Sequence, residues 1–185
     1  MSVTLDIPRA WVRPARVMRD RLTRGVDEKV AFAYVAAASL LGFVAQLPAL
    51  ARRSRIPDDL DDAIRSENVE GRILTVPEDV AEAKFEALMS GALLGWIFLV
   101  PLLLYGVAQL SHWIARLVGG RGTALHARTA LFWSFLAATP ALLLAGLTTG
   151  FVGPGPAAAL VGLVWISGFL WIWLNSLYVA ETSDV

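Results

Sequence analysis

Of 185 residues, 56% are hydrophobic and 17% charged, with a mean hydropathy of +0.58, against roughly 25% charged in an average soluble domain. Sixteen Lys+Arg balance sixteen Asp+Glu, which leaves no uniform field for nucleic acid, and the shortage of charge excludes a disordered, self-solvating chain. Zero cysteines exclude a disulfide framework, a thiolate metal site and a Cys nucleophile.

Residues 1–29 hold seven of the sixteen basic residues, and Pro14 suits the first position of a short helix. On that helix Ala15, Met18 and Leu22 share a face while Arg16, Arg19 and Arg24 point elsewhere. The pattern predicts a basic interfacial helix whose Arg13, Arg16, Arg19 and Arg24 meet anionic lipid headgroups, each contributing about 1 kcal/mol near the surface. An ordinary positive-inside flank is the plainer alternative.

A membrane span needs about 20 mostly apolar residues, and four stretches of the remaining 30–185 membrane domain qualify. Residues 30–50 are free of charge between Lys29 and Arg52-Arg53. They match a signal peptide poorly, because 29 preceding residues make too long an n-region. The extramembrane stretch 51–86 carries six basic and ten acidic residues. In it Asp58, Asp59, Asp61 and Asp62 follow Pro57, and Thr75 with Glu78 forms a capping box. The second span, 87–110, contains Pro101 and a kink is expected there. Between spans, His112, Trp113 and Arg116 extend the helix until Gly119-Gly120-Arg121-Gly122 breaks it, leaving Arg121 on a basic turn within reach of lipid phosphates. The third span, 129–150, has Pro140 near its middle. A Gly/Pro connection, 151–156, forces the fourth span, 157–180, to run antiparallel beside it, and a short acidic tail follows.

With four spans, the N-terminus, the Ser111–Arg128 connection and the C-terminus share one side and carry ten Lys/Arg against six on the other. The positive-inside rule makes the first side cytoplasmic. Arg52, Arg53 and Arg55 sit against that assignment.

Chemistry is sparse. The four spans contain no Asp, Glu, Lys or Arg, only Gln46, Gln109 and Asn175 as strongly polar side chains, whereas carriers and proton relays hold ionisable groups there. The Asp58–Asp62 cluster resembles a magnesium-holding motif, but carboxylates after a proline also suit a helix N-terminus, with Arg65 as partner. His112 and His126 fall short of the three or four ligands of a zinc site and read as surface or headgroup-facing residues. No serine has a Gly-x-Ser-x-Gly setting. No catalytic residue, cofactor or metal site is expected. Close helix packing is: Gly91/Gly95, Ala141/Ala145, Gly146/Gly150 and Ala158/Gly162 are small-x-x-x-small pairs that let helix backbones approach.

The stretch His112–Leu147, with Gly119, Gly120 and Gly122 in a basic turn and Pro140 midway along the next span, resembles the Yip-domain family of Ypt/Rab-interacting membrane proteins, in its bacterial branch. The likeness extends loosely over spans two to four, and residues 1–84 match poorly. It implies an all-helical polytopic membrane protein with a cytoplasmic N-terminus and no known catalytic residues. Eukaryotic relatives bind small GTPases and have five spans where this chain offers four; only fold and location carry over. The sequence therefore predicts a non-enzymatic scaffold or accessory subunit of the bacterial inner membrane. Its partners are membrane lipids and other integral membrane proteins or itself, not nucleic acid. A small transporter or lipid-related permeation protein is the alternative.

Overall fold

The computed structural model describes residues 3–66 and 77–182, and among them every regular element is helical. Thr75 of the expected capping box and the acidic tail beyond Thr182 lie outside the described residues. Two short helices, α1 (Val3–Val12) and α2 (Pro14–Leu22), precede α3 (Glu28–Arg53). A short α4 (Asp59–Ser66) leads to α5 (Pro77–Leu94), which a π-helical turn at Gly95–Leu99 joins to α6 (Val100–Leu117). Then come α7 (Ala124–Phe151) and α8 (Pro156–Thr182).

Among the described residues four rods are long and apolar enough to cross a membrane: α3, the continuous 39-residue stretch Asp79–Leu117, α7 and α8. Each contains one expected span. Local chemistry sets their ends. Asp27 accepts from the Val30 N–H at 2.8 Å and Thr123 from the His126 N–H at 3.2 Å, each covering one unpaired donor of a first turn. Gly119, at φ +94°, and Gly153, at φ +101°, supply the left-handed backbone that turns the chain after α6 and after α7. Arg52 at the end of α3 reaches the Gly150 and Phe151 carbonyls at 3.4 and 3.3 Å, placing a cation at the negative end of α7.

The prolines are accommodated in two ways. Before Pro101 the ladder shifts register, the Val100 N–H reaching back to the Gly95 carbonyl. That π-helical turn stands where the sequence predicts a kink. Pro140 cannot donate to the Leu136 carbonyl, and the Thr139 hydroxyl does so instead at 2.7 Å.

Helix α7 is the hub, buried continuously from Thr129 to Thr139 and in contact with α1, α3, α6 and α8. It runs parallel to α3: Glu28 pairs with Arg128 at 3.0 Å, Gly146 lies on Ala45 and Gly150 on Pro48. Glu28 also accepts from the Tyr105 hydroxyl at 3.3 Å, so one carboxylate ties α3, α6 and α7 at the end of the bundle that holds Leu117, Thr123 and Thr182. We call this the near end. Edge-to-face aromatic pairs fill the interior, among them Tyr105 with Phe132 at 4.8 Å and Phe135 with Phe169 at 5.8 Å.

Candidate functional site

The N-terminal basic segment is a hairpin wedged among the long helices. Pro14 stops α1 and starts α2, and the chain doubles back so that Asp6 meets Arg21 at 2.8 Å. At the apex, the Trp11 indole N–H donates to the Ala137 carbonyl at 2.9 Å, and its ring lies against Gly168. Ala137 is near the midpoint of α7 and Gly168 near that of α8, so the hairpin reaches about halfway along the bundle. Its base is shallower: the Arg21 carbon Cζ stands 3.4 Å over the ring of Trp133, one turn, or about 6 Å, nearer the near end than Ala137. Helix α2 lies along α8, burying Val17, Met18 and Leu22. The expected apolar face is thus covered by protein.

The hairpin brings charge into a bundle whose spans carry none of their own. Asp6 and Arg21 are 5% and 9% exposed, and Arg21 also donates to the Tyr34 hydroxyl. Pairing, a hydrogen bond and an aromatic face together offset the burial of the guanidinium, whose Nε has no partner among the described residues. Sequence reasoning missed both residues. A signal existed: Pro14, Val17, Met18, Arg21 and Leu22 follow helical spacing, which puts Arg21 on the apolar face. By contrast Arg13, Arg16, Arg19, Arg24 and Arg121 are all exposed. Arg9, Arg13 and Arg16 line an open cleft of about 800 Å³ between α1 and α2, together with Asp6 and Asp20.

The small-residue pairs divide by environment. A Cβ added at Gly146 would overlap the Ala45 carbonyl, and one at Gly150 would overlap Pro48, so this pair holds α3 against α7. At Gly91, Gly95 and Gly162 an added Cβ meets nothing within 4 Å among the described residues. Ala141, Ala145 and Ala158 are partly exposed.

Two polar clusters differ from expectation. His112 is buried, with Nδ1 2.8 Å from Glu181 Oε1; a carboxylate only accepts, so Nδ1 carries the hydrogen. It therefore faces neither solvent nor headgroup, whereas His126 is half-buried. In the acidic cluster the partner is Lys84, not Arg65. The Lys84 ammonium is fully buried and stands 2.7 Å from Asp58, 2.8 Å from Asp61 and 2.8 Å from the Ile56 carbonyl. It occupies the place between carboxylates that a metal cation would take. The hydrogen bond from Lys84 holds the Asp58 carboxyl below the usual carboxylate range, aided by the Leu60 N–H at 3.1 Å.

The Yip1 domain model matches residues 9–183. The chain belongs to the Yip1 domain family. The match begins at Arg9, so it takes in the half of the chain where the sequence alone offered little resemblance, including most of the hairpin. No curated protein and no solved structure matches the chain. Membership, with four apolar helices, makes this an integral membrane protein of the Yip1 type.

Proposed function

We propose that this Yip1-domain protein is a non-enzymatic scaffold or accessory subunit that joins other integral membrane proteins, or copies of itself, by helix–helix association. One observation carries the reading: Gly91 and Gly95 keep a bare backbone strip on α5 and the π-helical turn, where an added Cβ meets nothing within 4 Å among the described residues. Glycine in a helix interior costs up to about 1 kcal/mol relative to alanine. A pair that returns no internal contact suits the close approach of a helix from another chain. The same proposal places the near end and the N-terminus on the cytoplasmic side of the bacterial inner membrane, supported by the ten-to-six distribution of Lys/Arg. Arg24, beyond the base of the hairpin, and Arg121 then face the anionic cytoplasmic leaflet.

The test is particle size after gentle extraction. The native chain should travel in a species larger than one 20.0 kDa chain in its micelle, and Gly91→Leu with Gly95→Leu should reduce it to that size. Because a Cβ at either position meets nothing within 4 Å among the described residues, the double variant should keep native helicity. A native protein that runs persistently as a lone chain refutes association and favours the small-transporter or lipid-permeation alternative, for which Asp6 and Arg21 are the ionisable groups at depth.

A further inference from the structure

We propose that the groove between α6 and α8 at the near end binds one phospholipid with a primary-amine headgroup, whose ammonium donates to Glu181 Oε2. The groove encloses about 480 Å³ and is walled by Ile114, Ala115 and Val118 on one side and Leu174, Leu177 and Tyr178 on the other. These walls are apolar enough for acyl chains, and the groove ends where α8 ends, at headgroup level. Glu181 lines it and is 4% exposed. Its Oε1 takes His112, while Oε2 is buried and, among the described residues, has no hydrogen-bond partner. Trp173 lines the same groove, and its buried indole N–H likewise has no partner among the described residues. A buried acceptor left unpaired carries a desolvation penalty, larger when the group is charged.

The electrostatics ask for a cation. Glu181 stands in the last turn of α8, where the helix dipole already presents its negative end. Among the described residues no Lys or Arg side chain pairs with it; Arg121 contributes its backbone N–H to the Glu181 carbonyl at 2.8 Å. The turn also leaves room. A Cβ at Gly120 would come within 2.9 Å of both Glu181 Oε2 and the Ala115 carbonyl, so glycine there keeps a side chain of the turn off that oxygen. A primary ammonium brings positive charge and three N–H donors to that oxygen. A choline headgroup brings charge without a donor, and a glycerol headgroup brings donors without charge.

The experiment titrates the delipidated full chain in detergent with dioleoyl phosphatidylethanolamine, phosphatidylcholine and phosphatidylglycerol, and counts bound lipid by native mass spectrometry. A charge-assisted hydrogen bond predicts that phosphatidylethanolamine binds at least about tenfold more tightly than either of the others. Glu181→Gln, which keeps the shape and an acceptor for His112, should abolish that preference. Leu177→Trp should fill the groove and remove binding of all three. Equal binding of ethanolamine and choline lipids by the native chain overturns the proposal. So does a preference that survives Glu181→Gln, or binding that survives Leu177→Trp. Should Glu181→Gln fail to fold, the native comparison still decides the headgroup and Leu177→Trp the groove.

Discussion

Removing one member of the Asp6–Arg21 pair should destabilise the protein more than removing both. The two side chains are 6% and 9% exposed and meet at 2.8 Å. Deleting one partner of a buried ion pair leaves the other charge desolvated and costs about 3–5 kcal/mol. Asp6→Leu belongs at the lower end of that range, because Arg21 keeps the Tyr34 hydroxyl and the Trp133 ring. Arg21→Met belongs at the upper end: it strands Asp6, whose other ion-pair contact, Arg9, is 3.7 Å away and half exposed, and forfeits a desolvated cation–π contact of about 2 kcal/mol. In Asp6→Leu with Arg21→Met no charge is left stranded, so the double variant should lie within about 2 kcal/mol of the native chain, the residue of the lost aromatic contact. The assay is unfolding of the full chain in mixed micelles with increasing dodecyl sulfate, followed by circular dichroism across the four chains of the cycle. Effects that add to within about 0.5 kcal/mol would refute the reasoning, since additivity means that the two groups do not satisfy each other.

Gly146→Ala should cost about 1–3 kcal/mol in the same assay by forcing α3 off α7, whereas Gly91→Ala, with open space at its Cβ, should leave the monomer no less stable. Acidification should release α4 from α5. The Asp58 carboxyl is held below its ordinary value, so its contribution is complete above about pH 4 and disappears as pH falls through the lowered value. Amide exchange in α4 should therefore quicken only below about pH 4, and Asp58→Asn should be fast throughout; a step above pH 6 would count against the ion pair. Because the chain has no cysteine, Arg65→Cys and Arg121→Cys give clean topology reporters. A membrane-impermeant thiol reagent applied to intact cells should label residue 65 and spare residue 121, and the reverse pattern would invert the proposed orientation.

The near-end groove and the Lys84 clasp illustrate what a linear reading lacks. Asp58, Asp59, Asp61 and Asp62 announce a carboxylate cluster at once, but their partner lies on α5, 23 residues from Asp61. The nearer Arg65 is the natural choice when only helical spacing is known. His112 and Glu181 are 69 residues apart, and nothing local to either says that the Gly119–Gly122 turn folds α6 onto the end of α8. Arg21 is the intermediate case: its position on the apolar face of α2 is periodic and readable, but the acceptor that makes burial tolerable comes from α1 through a reversal at Pro14.

What the sequence determined by itself are the properties that depend on a few neighbouring residues. Runs of about 20 apolar residues set the four spans, because the hydrocarbon core rejects unpaired backbone groups and leaves the helix as the local solution. Asp27 and Thr123 mark helix starts, and Gly119 and Gly153 mark ends, through hydrogen bonds and backbone angles confined to one turn. The tertiary structure alone decided which face of each helix meets protein. Gly91/Gly95 and Gly146/Gly150 have the same spacing, yet one pair is bare and the other is pressed against Ala45 and Pro48. It also decided that the basic hairpin reaches Ala137 and Gly168 instead of resting outside the bundle. Contact at an atom's width depends on how separate helices align, and in an apolar medium that alignment comes from packing and a few buried hydrogen bonds, which hydropathy does not encode.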